Sequence, residues 1–183
     1  MSILYQSVVK YVDVAFAGKQ KDHFERTVYW IEQILPHATD AHRIAAYAHD
    51  IERAFQNKGE GNTPEDYRSL NFLRAHEERG AELIAEFLQK QNAEDAIVGK
   101  VKHMISRHEE GGDSEQDALM HADSLSFFET NAEMFVKKKV PLEGKIKVRE
   151  KLDWMFNRIK NSDLRAKTFP NYNLWISELE KRL

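Results

Sequence analysis

Cysteine is absent from all 183 residues, which excludes disulfides, thiolate metal sites and cysteine nucleophiles and suits a reducing compartment. Chain-turning residues are scarce as well. Only 8 glycines and 4 prolines are present, which favours long helices over many short strands. No run reaches the roughly 18 apolar residues of a membrane-spanning helix. The opening MSILYQSVVKYVDVAF lacks the basic start and small-residue cleavage site of a secretory signal. Nor is there a dominant charge: a formal net charge of -3 gives no field that would draw the protein to nucleic acid or an anionic membrane. These absences predict a cytoplasmic protein that binds neither a membrane nor a nucleic-acid polymer.

What is present is a soluble globular composition, 42% hydrophobic and 31% charged, on a chain long enough for one domain with a well-buried core. The apolar periodicity is helical throughout, so the predicted class is all-α. A first helix covers 2–17 and stops near Gly18. A second runs from Asp22 as N-cap to Pro36, and a third from Thr39 or Asp40 to about Asn57. The polar segment 57–66 (NKGEGNTPED) reads as a loop and a candidate lid. Further helices are expected over 67–90, from an Asn92 cap through His108, and from a Ser114 cap to about 129. From about 131 the character changes. A basic run, Lys137-Lys138-Lys139, reads as surface. It precedes a helix with Val148, Leu152, Met155 and Ile159 in register and a last helix after Pro170. This extension, 131–183, is too small for a core of its own and is expected to pack on the bundle within a single domain, 1–183.

The third helix carries the pair His49-Asp50 in an otherwise small, apolar run, AAYAHDIER. A buried polar pair is costly unless satisfied, and a metal ion satisfies His-Asp well. Adjacent side chains point about 100° apart on a helix, so other helices must supply further ligands. Candidates stand on successive helices. His23 shares a face with Thr27, Trp30 and Ile34, and His76 with Leu73, Gly80, Ile84 and Phe87. Gly80 removes a side chain beside His76 at a cost of about 1 kcal/mol in a helix, which suggests a packing or access reason. His108 follows Ile97, Val101, Met104 and Ile105, and Asp123 lies among Leu119, Met120 and Phe127. His103 falls on a polar face beside Lys100 and Arg107, and His121 points elsewhere. One inward histidine is more commonly a hydrogen-bonded core residue, but five inward positions on successive helices point to metal. Imidazoles and carboxylates without sulfur suit Fe, Mn, Co, Ni or Zn, at one or two ions.

The blocks HFERTV at 23–28, AAYAHDIER at 45–53, HEERGAELI at 76–84, ISRH at 105–108 and HADSLS at 121–126 resemble the HD-domain superfamily of metal-dependent phosphohydrolases, over roughly residues 20–130. The resemblance implies a helical bundle in which His23, His49, Asp50 and Asp123 bind a metal. His76 and His108 match the two extra histidines of binuclear members, with Asp50 bridging the ions. Departures narrow the substrate. No Gly-Tyr-Pro follows ISRHEEGGD, Glu52-Arg53 stand where the alarmone hydrolases carry an acidic pair, and Glu52 sits off the extra glutamate of the deoxynucleotidases. The implied reaction is hydrolysis of a nucleotide or small phosphate ester by a metal-activated water, with Asp50 and Arg53 as catalytic residues. Arg53, one turn from His49, is placed to contact a phosphate; Arg26 and Lys58 are further candidates for binding the substrate. Two alternatives share this ligand order: a di-iron oxygenase similar to inositol oxygenase, and a non-catalytic binding module with a structural metal.

Overall fold

The structure is a computed structural model that describes residues 2–55 and 69–182. The 57–66 loop and Lys58 lie outside the described residues. The fold is all-α, with no strand among the described residues. No helix among them is long and apolar enough to cross a membrane. Helices α1 (Ile3–Ala15), α2 (Lys21–Ile34), α3 (Asp40–Ala48), α4 (Glu52–Phe55), α5 (Leu70–Lys90), α6 (Asp95–Ile105) and α7 (Ser114–Thr130) form the main bundle. Short α8 (Ala132–Met134), a π-helical segment Phe135–Lys139 and α9 (Val140–Glu143) lead to α10 (Lys145–Asn157) and α11 (Ser162–Glu180).

Helix α7 is the axis. Every residue from Ala118 to Phe128 is buried, because α7 is covered on all sides. On one side Ala118, Leu119 and Ala122 join the main core with Phe24, Ile31, Ile44, Ile84 and Met104. On the other, Phe127 and Phe128 join a second core with Val136, Val148, Leu152, Met155 and Leu179. The extension thus gains a core by sharing α7.

Helix ends differ from expectation in ways that matter for the site. The third helix does not run to Asn57. It stops at Ala48, and His49–Ile51 form a tight turn in which Ile51 N–H donates to Ala48 O at 2.9 Å and Arg53 N–H to Asp50 O at 2.9 Å. The helix before His108 likewise stops at Ile105, leaving His108 in a turn. In both places the imidazole supplies the reason. His49 Nδ1 bonds Ala46 O at 2.9 Å and His108 Nδ1 bonds Ile105 O at 2.8 Å, each taking a carbonyl at the helix end.

Other boundaries shift by a residue or two. Asp22 lies in the first turn of α2, where its charge suits the dipole, and Gln20, at φ +67°, precedes the helix. Asn92, at φ +55°, turns the chain after α5, and α6 begins after Glu94. Asp113 rather than Ser114 caps α7, accepting from the N–H groups of Glu115 and Gln116 at 3.0 Å each. Pro170 sits inside α11 instead of before it. It is tolerated because Pro170 and Ala166, whose carbonyl loses its donor, both face water.

Candidate metal centre

Four imidazoles line a seam between α2, the His49–Ile51 turn, α5 and the turn after α6. Ring centroids are 5.3 Å apart for His23–His49, 5.4 Å for His49–His108 and 5.4 Å for His76–His108. All four rings are buried. Each Nδ1 is already engaged. His49 and His108 donate to main-chain carbonyls, which can only accept. His76 Nδ1 bonds Glu52 Oε2 at 2.8 Å, and Glu52 Oε1 is held by Arg79 Nε at 2.9 Å. Ser126 donates to His23 O at 2.9 Å and accepts from His23 Nδ1 at 2.7 Å. With each Nδ1 committed in this way, the four Nε2 atoms are the ones left pointing into the seam.

Three carboxylates face those nitrogens. Asp123 Oδ1 lies 3.2 Å from His23 Nε2 and 3.5 Å from His49 Nε2. Asp50 Oδ1 lies 3.1 Å from His76 Nε2 and 3.9 Å from His108 Nε2. Glu109 Oε1 lies 3.9 Å from His108 Nε2. Two donor groups result, each drawn within 4.8 Å: His23, His49 and Asp50; and Asp50, His76, His108 and Glu109. Asp50 belongs to both.

The donor chemistry fits a metal ion. His49 Nε2 and His108 Nε2 are buried without any hydrogen-bond partner. A buried unpaired imidazole nitrogen is costly, and a cation on its lone pair removes the cost. The local field acts the same way. Burial opposes a charge on His49, yet the facing Asp123 carboxylate raises its pKa to about 9. Burial would raise the Asp50 carboxyl, but Arg53 and the neighbouring imidazoles hold it well below the usual range. Glu109 is likewise held down to about 2 against burial, chiefly by Arg158, His108 and Arg53. These buried His, Asp and Glu groups can hold a metal ion.

The seam opens into a cleft of about 320 Å³, with His23, Asp50, Glu109 and Asp123 at its floor. Arg53 spans the floor, its Nε donating to Asp50 Oδ1 at 2.7 Å and its Nη2 to Glu109 Oε1 at 3.0 Å. The far wall comes from the extension: Phe135, Lys139, Lys151, Trp154 and Met155. Lys151 Nζ lies 4.3 Å over the Trp154 ring, and burial pushes its pKa down to about 8.

Of the residues nominated from sequence, His23, His49, Asp50, Arg53, His76, His108 and Asp123 meet here. Arg26 does not. It pairs with Glu129 and lies 3.9 Å over the Tyr29 ring, outside the cleft, because a nearer carboxylate and an aromatic face hold it. His103 is half-exposed and bonds Asp113 at 2.6 Å. His121 is buried, more so than its sequence position suggested, but its Nε2 accepts from Lys160 N–H at 3.0 Å, away from the seam. Gly80 is buried against the His49–Glu52 turn. A Cβ there would lie 3.6 Å from His49 O and 3.7 Å from Glu52 Cβ, an ordinary contact, so space does not demand glycine.

Sequence reasoning passed over Glu109 and Arg158. Glu109 stands in the charged run RHEE, where nothing but adjacency to His108 separates it from Glu110. Arg158 is buried and bonds three groups of the site: Ser124 Oγ at 2.7 Å, Glu109 Oε2 at 2.5 Å and Asp123 Oδ2. A stripe of Lys151, Trp154 and Arg158, at i, i+3 and i+7 beside the apolar face of α10, was the available signal.

Residues 9–164 match the model of a family described as a domain of unknown function, DUF4202. No curated protein and no solved structure matches the chain.

Proposed function

The chain belongs to the DUF4202 family, and from this centre we propose that it is a metal-dependent phosphohydrolase of the HD type acting on a small phosphate ester. The observation that carries the proposal is the pairing of two features. Four imidazole Nε2 atoms and three carboxylates form a floor that suits one or two divalent transition metals, and a cleft bearing Arg53 and Lys151 opens onto that floor. The ordered blocks that resemble HD domains support the same reading. A bound ion would supply a water of lowered pKa and neutralise charge on the phosphoryl group.

The chain's own residues divide the remaining work. Asp50, shared by both donor groups, fixes the position of the floor. Arg53 is about one-third exposed and lies between Asp50 and Glu109, so its free N–H groups can meet a phosphoryl oxygen entering the cleft. Lys151 remains mostly charged at neutral pH and adds a second positive group at the wall. A cleft near 320 Å³ is at the small end of ligand pockets, roughly 300–1,000 Å³, which favours one small molecule such as a nucleotide over a polymer.

The test is phosphate release from a panel of nucleotides and small phosphomonoesters, with protein supplied in turn with Mn, Co and Ni. Metal-dependent release is expected. Arg53→Ala is expected to lower kcat/KM by about 1–3 kcal/mol in transition-state terms at saturating metal. Iron-loaded protein that consumes oxygen with a small organic substrate, and releases no phosphate from any ester, would overturn the proposal in favour of an oxygenase.

A further inference from the structure

A carboxylate can offer a metal one oxygen or two, and what decides is often the partner of the other oxygen. In Asp123, Oδ1 faces the imidazoles of His23 and His49 while Oδ2 is bonded by Arg158 Nη2. In Glu109, Oε1 faces His108 while Oε2 accepts from Arg158 Nη1 at 2.5 Å. The same guanidinium therefore turns one oxygen of each carboxylate away from the imidazoles. Its third donor, Nε, is fixed on Ser124 Oγ at 2.7 Å, and the Trp154 ring lies 4.5 Å from its central carbon. All three nitrogens of the planar fork are engaged, and the group is buried. Lysine, with one nitrogen on a flexible stem, cannot reproduce this geometry.

We propose that Arg158 is a positioning residue that makes Asp123 and Glu109 present single oxygens to the cation centre, so that the extension following the bundle sets the carboxylate coordination on both sides of the seam. The inference rests on the reading of the seam as a metal centre, but not on the reaction. Asp123 belongs with the His23–His49 side and Glu109 with the His76–His108 side. Displacing Arg158 then frees a second oxygen on each side at once, and the two sides change together.

The experiment is cobalt titration of the full chain, parent against Arg158→Lys and Arg158→Met, read by visible absorption and by equilibrium affinity. Far-UV circular dichroism reports folding, and phosphate release is assayed in parallel. Both variants are expected to keep the parent's helix content and to bind cobalt about 10–100-fold more weakly, the usual scale for a partner that orients a ligand. The visible band should lose intensity as two-oxygen chelation raises the coordination number. Arg158→Lys should not restore it, although the charge is retained. A folded Arg158→Lys with the parent's spectrum and affinity would overturn the inference, as would loss of helix content in both variants, which would make Arg158 a core support. Altered cobalt binding with no hydrolysis by the parent would leave the inference standing and remove the hydrolase reading.

Discussion

Along one flank α7 contributes Asp123, Ser124 and Ser126 to a seam of imidazoles, carboxylates and arginines. Along the other it contributes Phe127 and Phe128 to a cluster of rings, with Phe156 and Tyr172 stacked at 4.3 Å and Trp175 Nε1 donating to Phe128 O at 3.0 Å. The ring cluster is held by apolar burial and a few satisfied polar groups. The seam keeps His49 Nε2 and His108 Nε2 buried without partners, a cost that packing alone would not retain. The contrast also extends to histidines. His42 is as buried as His23, yet both its nitrogens are paired, Nδ1 with Thr39 N–H at 2.9 Å and Nε2 with Glu115 at 3.0 Å. Burial does not mark a ligand; at His49 and His108 the unanswered nitrogen does.

The largest effect is expected in the ring cluster. Phe128→Ala should cost about 3–5 kcal/mol of stability, the range for emptying a large aromatic from a core. Thermal unfolding measures the loss, and cation affinity of the folded protein should hold. Weakened cation binding would show that the two flanks of α7 do not act separately. The reverse experiment is Asp50→Ala. Because this carboxylate belongs to both donor groups, cation affinity should fall by more than the roughly 100-fold upper scale for an orienting partner. Metal analysis after dialysis would reveal it, and full metal retention would dissolve the contrast.

Acidity separates the regions further, and in metal-free protein the seam should carry the dependence below pH 9. The pKa of His49 is raised from 6.5 to about 9, so its contribution is complete below pH 6.5 and is lost as pH rises through 9. Glu109 is lowered from 4.5 to about 2, so its contribution is complete above pH 4.5 and is lost as pH falls towards 2. A metal ion that replaces the His49 proton should abolish the alkaline loss, so the rise in melting temperature on adding metal should be greater at pH 9 than at pH 6. A rise that shrinks with pH would place the ion elsewhere. The smallest effect is Gly80→Ala, expected to stabilise by up to about 1 kcal/mol because helix propensity improves and the new Cβ finds ordinary contacts. A drop in melting temperature instead would mean that the His49–Glu52 turn is packed more tightly than its distances indicate.

The all-α class and the inward placement of the candidate donors were legible because helical spacing records which side faces inward. His23, His76 and Asp123 needed nothing more. For His49 and His108 the right side chains were found on the wrong backbone, since both lie in turns just beyond helix ends. A side chain that competes for a terminal carbonyl ends a helix through hydrogen bonding that periodicity does not encode. Arg26 illustrates the opposite failure. A cation near a ligand in sequence can be captured by a surface carboxylate, here Glu129, that lies 103 residues away. Arg158 and Glu109 escaped because a buried charge in a single sequence reads as a solvated one until its partner is placed.

That shared helix also dictates when the centre can exist. Its bonds close over long stretches of chain, 103 residues between His23 and Ser126 and 35 between Asp123 and Arg158. Contacts of such separation form late and slowly. On the ribosome His23, His49 and His76 emerge long before the arginine that holds the last carboxylates, and domains gain structure as their segments become available. Until residue 158 has cleared the exit tunnel, Asp123 lacks its guanidinium and Phe127 and Phe128 lack their cover. An ion at this centre would therefore meet its full set of oriented donors only after residue 158 is free of the tunnel, and a shorter nascent chain would offer a weaker one.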